Sequence, residues 1–408
     1  MESIITLGIN KMEIDWGKNN VFSNYSSLFQ KQDFGQKIPY YTVNDEDEVI
    51  IKYETGAKKK LKDIKDRLDL LGYDLKRIER KFNEIVEEYE YYSDNKIAIK
   101  FAEFKRFIVN IDTSKVDNIR SAIEDLENVY EIGEYFRKCI LSDKEVSNNL
   151  FNEYEKRTEI IGEFFEAINP YIILRLLAEN EANLESYVEW RYNEMIEKGL
   201  VKKEDVINEL GEKSKILIVT EGSTDSFILK RTLQTLYPNI SDFFNFIDMK
   251  ENYPFTGVGS LKNFCNGLAK INIQNNTIVL FDNDTAGRET YNAIKDIQKP
   301  INLLFCHLPD YKEFEQFKTI GPFGIQISNI NGKAVSIECF LDLASVDNES
   351  IVRWKNYNER MKEYQGALEN KDKYTVKFKN ANLLEGSYDC SKLKYLINYI
   401  IQEWINRK

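Results

Sequence analysis

Two stretches decide the reading: Ile216-Leu217-Ile218-Val219-Thr220-Glu221-Gly222-Ser223-Thr224-Asp225, and Thr277-Ile278-Val279-Leu280-Phe281-Asp282-Asn283-Asp284-Thr285-Ala286-Gly287. Each opens with a short, β-branched apolar run and ends in acids and a glycine. Runs this short, with no polar residue alternating, predict strands buried on both faces, as in a parallel sheet covered by helices. In such sheets a site forms at the carboxyl ends of the strands, where chain leaves sheet for loop. Both acidic clusters fall at that end.

The spacing then implies chemistry. Side chains two apart on a strand share a side, so Asp282 and Asp284 face one point while Asn283 turns away. Glu221 arrives from the neighbouring strand. Two carboxylates about 4 Å apart repel by about 4 kcal/mol at an effective dielectric near 20. No basic residue lies inside either motif before Gly287. A hard divalent cation is the expected counter-charge: Mg²⁺, with Mn²⁺ as a substitute. Gly222 and Gly287 allow a sharp turn and a close approach of backbone to phosphate. The array suits metal-assisted phosphoryl transfer. Two loops with ordinary surface acids are the plainer alternative, weakened because two motifs agree in order, spacing and strand context.

The pattern E-G-x-x-D after one strand and D-x-D-x-A-G after a later one resembles the TOPRIM domain of topoisomerases, primases, OLD-family nucleases and small RNA-maturation nucleases. The resemblance covers about a third of the chain. It implies that Glu221 acts as general acid/base, that Asp282 and Asp284 hold Mg²⁺, and that Asp225 helps at a second metal.

A second resemblance lies upstream. Ile5-Thr6-Leu7-Gly8, then Glu13-Ile14-Asp15-Trp16-Gly17-Lys18-Asn19-Asn20, then Arg67-Leu68-Asp69-Leu70-Leu71-Gly72-Tyr73, are similar to the N-terminal domain of the HEPN/Toprim-associated group. HEPN ribonucleases use an Arg shortly before a His. This chain has one His, His307, with no Arg close before it, so that catalytic pair is missing. The polar stretch from Asp15 to Asn20 reads as a ligand loop or, more plainly, as a hairpin turn with a half-buried Trp.

Composition narrows the class. With 408 residues, the chain is long enough for two or three domains with real cores. The five cysteines, Cys139, Cys265, Cys306, Cys339 and Cys390, form no C-x-x-C pair. A zinc module or disulfide framework is not expected, and buried thiols are. No apolar run reaches the length of a membrane span, and Glu13 and Asp15 interrupt the place of a signal peptide. A cytoplasmic location and no membrane contact are expected. Net charge is −11, so no broad basic surface for nucleic acid is advertised. Contact with a polynucleotide must be local, or shared with a protein partner or a second copy of the chain. No G-x-x-x-x-G-K-[ST] loop exists, which excludes a P-loop ATPase engine.

The expected architecture is an α/β TOPRIM-like domain over 213–345, a parallel sheet flanked by helices. A β-rich and then helical N-terminal domain covers 1–94, an all-helical module 95–212, and a C-terminal helical extension 346–408. Tyr40-Tyr41-Thr42-Val43 and Glu48-Val49-Ile50-Ile51-Lys52-Tyr53 predict a hairpin around Asn44–Asp47. A helix is predicted from Lys58 to Gly72. Ile119, Ile123, Leu126, Val129, Ile132 and Phe136 predict another. Asn169-Pro170 predicts a helix start. Further on, the sequence predicts a strand over Ala334–Leu341, a helix from Ser350 to about Leu368, and a strand over Tyr374–Phe378. No chemistry is expected beyond residue 346.

Lesser candidates complete the set. Glu338 is a carboxylate inside an apolar run, costly unless paired or facing a metal, and counts as a candidate ligand. Lys262 and Arg288 are candidate phosphate contacts, with surface ion pairs as the alternative. Gly257, Gly259 and Ser260 fit a phosphate loop or a tight turn with a Ser cap equally well. His307 ends a predicted strand and reads as a hydrogen-bonding loop residue before a ligand.

The expected function is Mg²⁺-dependent hydrolysis of phosphodiester bonds in DNA or RNA. The family resemblance implies a bacterial phage-defence effector. The alternative is a sensor or interaction module that holds Mg²⁺ and a nucleotide without turnover.

Overall fold

The computed structural model describes residues 7–10, 12–15, 23–43, 49–92, 100–115, 168–199, 201–207, 210–247, 258–346 and 350–407. The chain forms two compact units, Met1–Leu210 and Gly211–Lys408. Among the described residues, no helix is long and apolar enough to cross a membrane.

The first unit is built on an antiparallel five-stranded sheet in the order β2-β1-β5-β4-β3. Its strands are β1 (Leu7–Ile9), β2 (Met12–Glu13), β3 (Phe34–Val43), β4 (Val49–Lys60) and β5 (Tyr187–Arg191). The expected hairpin is present, with Val43 opposite Val49 and Tyr40 opposite Lys52. The turn at 44–48 and the stretch 16–20 lie outside the described residues. Segment 95–212 is not all-helical: it supplies β5, the central strand. Val188 and Trp190 are fully buried, and Tyr25, Phe29, Phe34 and Tyr192 surround Trp190. Tyr187–Arg191 is too short to outweigh the helical spacing around it.

The helix expected from Lys58 starts later, as α1 (Leu61–Leu68). Lys58, Lys59 and Lys60 end strand β4 instead, where Glu189, Asp33 and Glu185 neutralise them at 2.7 Å each. Helices α2 (Leu75–Tyr92), α3 (Phe101–Val109) and α4 (Pro170–Leu177) follow. The predicted start of α4 holds: Asn169 accepts from the Tyr171 amide at 2.9 Å, and Pro170 takes the first turn. The helix predicted over 119–136 lies outside the described residues. The Arg67–Tyr73 stretch is framework. Arg67 is fully buried and donates to the Ser27 and Phe29 carbonyls at 2.9 and 3.2 Å. Asp69 pairs with Arg175 at 2.6 Å. Gly72 sits at φ 83, a conformation that favours glycine.

The second unit centres on a parallel sheet in the order β10-β8-β6-β7. The strands are β6 (Ile216–Val219), β7 (Phe244–Phe246), β8 (Asn276–Phe281) and β10 (Leu303–His307). All of Thr277–Phe281 is buried, as a strand covered on both faces requires. Between the strands run α5 (Ser223–Leu236), α6 (Val258–Lys270) and α7 (Thr285–Ile294). Val219, Val279, Phe281 and Phe305 form one core with Leu261, Cys265 and Leu268 of α6 and Ile294 of α7.

A second sheet of the same unit runs β12-β11-β14-β15. It comprises β11 (Phe317–Gly321), β12 (Gly324–Ser328), β14 (Val352–Asn358) and β15 (Glu363–Leu368). The short strands β9 (Asn283–Asp284) and β13 (Ala334–Val335) pair antiparallel. Helices α8 (Lys371–Asn380) and α9 (Ser391–Asn406) close the chain.

Three expectations are corrected here. The helix predicted over Ser350–Leu368 is the hairpin β14–β15, a polar edge whose Lys, Arg and Glu content imitates a helix surface. The strand predicted over Tyr374–Phe378 lies inside α8, where Tyr374 and Phe378 share a buried face four residues apart. The strand predicted to reach Leu341 ends at Val335, and Glu338 sits in a 3-10 turn over Ile337–Phe340. Residues 346–408 are also no mere extension, since α9 packs on α5 and Tyr237 bonds Asn398 at 2.9 Å.

Candidate active site

The site grows out of two neighbouring strand tips. β6 and β8 run parallel in register, with Val219 opposite Val279. After β6 the chain turns through Thr220 and Glu221 into α5. After β8 it passes Asp282 into β9 and α7. Two helix N-termini therefore meet at one end of the sheet, and their unpaired amides favour negative charge there.

Three of the four acids of the two motifs are held by such a donor. Glu221 Oε1 accepts from the Asp282 amide at 3.1 Å, which links the two tips. Asp225 Oδ2 accepts from the Gly222 amide at 2.9 Å and so closes the first turn of α5. Asp284 caps α7, accepting from the Gly287 amide at 2.8 Å. Its other oxygen accepts from Gln365 Nε2 at 2.5 Å, and Gln365 Oε1 takes the Ala286 amide at 3.0 Å.

Glu338 comes from the 3-10 turn that follows β13, the strand paired with β9. It is buried, accepts from Ser336 Oγ at 2.7 Å, and pairs with Lys371 Nζ at 3.1 Å. The fields these groups exert define one cluster. Asp225 feels Glu338 and Glu221, Asp282 feels Asp225, Glu221 and Asp284, and Lys371 acts on Glu221, Asp225 and Asp282. Four of the five carboxylates thus share one lysine.

That imbalance shifts their titration. Burial, with Asp284 beside it, raises the Glu221 carboxyl to about 7. Burial, followed by Glu338 and Glu221, raises Asp225 to about 7. Burial and the charges of Asp225, Glu221 and Asp284 hold Asp282 well above the usual carboxylate range. Burial alone would lower Lys371, but Glu338 and Asp282 outweigh it and hold the ammonium form above its usual range.

A divalent cation can be weighed against this donor set. Hard oxygens, excess negative charge and carboxyls that resist ionisation are what such an ion relieves. By chemistry the set fits Mg²⁺ or Mn²⁺. Among the described residues, however, no three His, Cys, Asp or Glu side chains already stand as a ligand group around one point. Glu221, Asp225 and Asp284 are turned to the amides named above, so their binding a shared cation requires side-chain rotation.

The remaining candidates fall in different places. Gly222 adopts φ −139, open to any residue, so its backbone does not demand glycine. Gly287 does: a Cβ there would lie 2.3 Å from the Asp282 carbonyl oxygen. Its smallness lets α7 turn back tightly on the strand tip. Lys262 acts on Glu289 of α7 only through its charge, while Glu289 binds Asn358 and Arg360. The Arg288 guanidinium lies against Gly332. Asn283 turns from the acids, as expected, and donates to Asp310 Oδ1 at 2.7 Å. His307 Nδ1 meets the Leu308 carbonyl at 2.8 Å, and its ring meets Tyr291 edge-on. Residues 256 and 257 lie outside the described residues.

Sequence reasoning missed Lys371 and Gln365. Both come from residues 346–408, where no chemistry was expected. A lysine opening a helix and a glutamine on a polar strand carry no local signal.

Residues 1–214 match the family model described as HEPN/Toprim N-terminal domain 1. Residues 324–407 match the model of the CD47 immunoglobulin-like domain. That segment holds α8 and α9, which a sandwich of two antiparallel sheets does not contain, so this match carries no argument. No curated protein and no solved structure matches the chain.

Proposed function

The chain belongs to the HEPN/Toprim N-terminal domain 1 family, and from that premise we propose that its second unit is a TOPRIM-like nuclease domain that hydrolyses phosphodiester bonds in DNA or RNA. The observation that carries the reading is the cluster of five carboxylates with one lysine at adjacent parallel strand tips. A structural role does not call for that much unbalanced charge, whereas a site that recruits a cation and a phosphate does.

In this reading Asp282 and Asp284 hold Mg²⁺ or Mn²⁺, with Asp225 and Glu338 as further ligands. The ion, when bound, neutralises charge on the scissile phosphate. Glu221, with its carboxyl near 7, takes the proton of the attacking water at a carboxylate oxygen and later releases it. Lys371 pairs with Glu338 and places a second positive charge beside the cluster. Gln365 fixes the orientation of Asp284. A role as a phage-defence effector with a protein partner rests on the family resemblance alone.

The test is cleavage of plasmid DNA and of tRNA with Mg²⁺ or Mn²⁺ by the wild type, Glu221→Gln and Asp282→Asn. Loss in both variants supports the mechanism, and unchanged cleavage in both removes it. One observation favours a second reading, a non-catalytic Mg²⁺ and nucleotide sensor: three of the four carboxylates of the two motifs, Glu221, Asp225 and Asp284, already have an internal partner that turnover would have to break. Calorimetry showing tight nucleotide binding, with no polynucleotide cut, would establish that reading instead.

A further inference from the structure

The second sheet of this unit carries a cleft of about 140 Å³, lined by Thr319, Gly321, Phe323, Gln326, Trp354 and Tyr364, among others. That is well below the ~300–1,000 Å³ of a cofactor pocket, and it suits one flat ring. The register explains its shape. Gly321 on β11 and Gly366 on β15 flank Trp354 on β14. A Cβ on either glycine would come to 3.0 Å from the indole. The two glycines therefore let the ring lie low across the sheet. Tyr364 forms the far wall and meets Tyr357 edge-on at 5.1 Å. At the near end Phe323 is 88% exposed, an aromatic held in water at the tip of the β11–β12 turn.

The cleft is joined to the acidic cluster through β15. Tyr364 lines the cleft, and its carbonyl accepts from Thr285 Oγ1 at 3.0 Å. The next residue, Gln365, grips Asp284. Charge also changes here. Residues 317–328 and 352–368 hold five basic side chains (Lys318, Arg353, Lys355, Arg360, Lys362) against two acids (Glu359, Glu363), in a chain of net −11. Arg353 and Arg360 are paired with Glu369 and Glu289, while Lys355 and Lys362 are exposed.

We propose that this cleft stacks an unpaired nucleobase of the polynucleotide whose phosphate lies at the Asp284 end of the acidic cluster. The proposal rests on the nuclease reading for the position of that phosphate. It names the substrate class as a strand with at least one unpaired base beside the cut. Aromatic walls give sequence-tolerant stacking because every base has a π-face, and the nearby lysines follow the backbone. A proline-rich peptide also fits aromatic grooves, but it explains neither the basic bias nor the continuity with Asp284.

The experiment measures binding apart from cleavage. Fluorescence anisotropy in EDTA follows a labelled oligothymidylate and a blunt DNA duplex of equal length on the full chain. Wild type should bind the single strand more tightly than the duplex. Trp354→Ala and Phe323→Ala should each weaken single-strand binding by about five- to a hundredfold, the range for one stacked base, and leave duplex binding unchanged. Trp354→Phe should retain most of it. Phe323 is too exposed for its loss to unfold the domain, so the test survives if Trp354→Ala misfolds. Equal binding by wild type and Phe323→Ala overturns the proposal, as does a proline-rich peptide that quenches Trp354 where the oligonucleotide does not. Trp354-dependent binding without any cleavage would remove the nuclease reading and leave the stacking site. Cleavage with binding indifferent to Phe323 and Trp354 would do the reverse.

Discussion

Both units bury charge, but they balance it differently. In the first, buried Arg67 is absorbed by carbonyls, Lys59 by Asp33, and Arg175 by Asp69 and Glu179. In the second, Glu221, Asp225, Asp282 and Glu338 share one cation, Lys371, with Asp284 adding a further charge beside them. Balanced burial fixes a framework, because each charge has already found its partner. Unbalanced burial stores a demand for positive charge, which a cation and a cationic surround can meet. The difference sets the scaffold apart from the candidate site without reference to any relative.

The sharpest way to break this contrast is to neutralise one acid in the second unit. Glu221→Gln should lower cleavage by about 10²–10⁴-fold, the usual share of a proton-moving group. Its melting temperature should stay level or rise, since a repelling charge is removed. A large loss of stability would reclassify Glu221 as framework. The mirror experiment is Arg67→Met in the first unit. It leaves the Ser27 and Phe29 carbonyls without their donor and should cost about 2–3 kcal/mol, read by urea denaturation. Cleavage per folded molecule should not change.

Gly287→Ala tests how tightly the strand tip is drawn. The added Cβ meets backbone, which cannot move aside as a side chain would. The expected cost is about 1–3 kcal/mol, with cleavage falling as Asp282 shifts.

The smallest effect is the pH dependence of stability in EDTA. The folded carboxyls of Glu221 and Asp225 lie near 7, above their unfolded values near 4. Between those values the folded state binds more protons than the unfolded one. Stability therefore falls as pH rises, and the penalty is fully present above about 7. Melting temperature should be higher at pH 5.5 than at pH 8, and Asp282→Asn should flatten the difference. A rise toward pH 8 would contradict the cluster's charge imbalance.

Much of the site was legible because short buried strands announce themselves by apolar runs, and the acids followed each run directly. Asn283, which a two-residue period turns away, bonds Asp310 rather than an acid of the two motifs. Glu338 stood out as a carboxylate among apolar residues, although its strand ends early and a 3-10 turn presents it. Lys371 and Gln365 were illegible. Gln365 meets Asp284 across 81 positions of sequence, and no local pattern encodes that contact. The β14–β15 hairpin was hidden for a related reason. Its polar residues suit a helix surface as well as a strand edge, and only the pairing with β11 decides between them. In the first unit, β5 shows tertiary pairing overriding the helical periodicity of its neighbours.

The central claim is that the acidic cluster is a divalent-cation site, and titration calorimetry with Mn²⁺ in buffers of different ionisation enthalpy at pH 7 tests it most directly. The account predicts binding that releases protons, because carboxyls near 7 must ionise to become ligands, and loss of that binding in the Asp282→Asn, Asp284→Asn double variant. No heat from the wild type, or equal binding by the double variant, would contradict it.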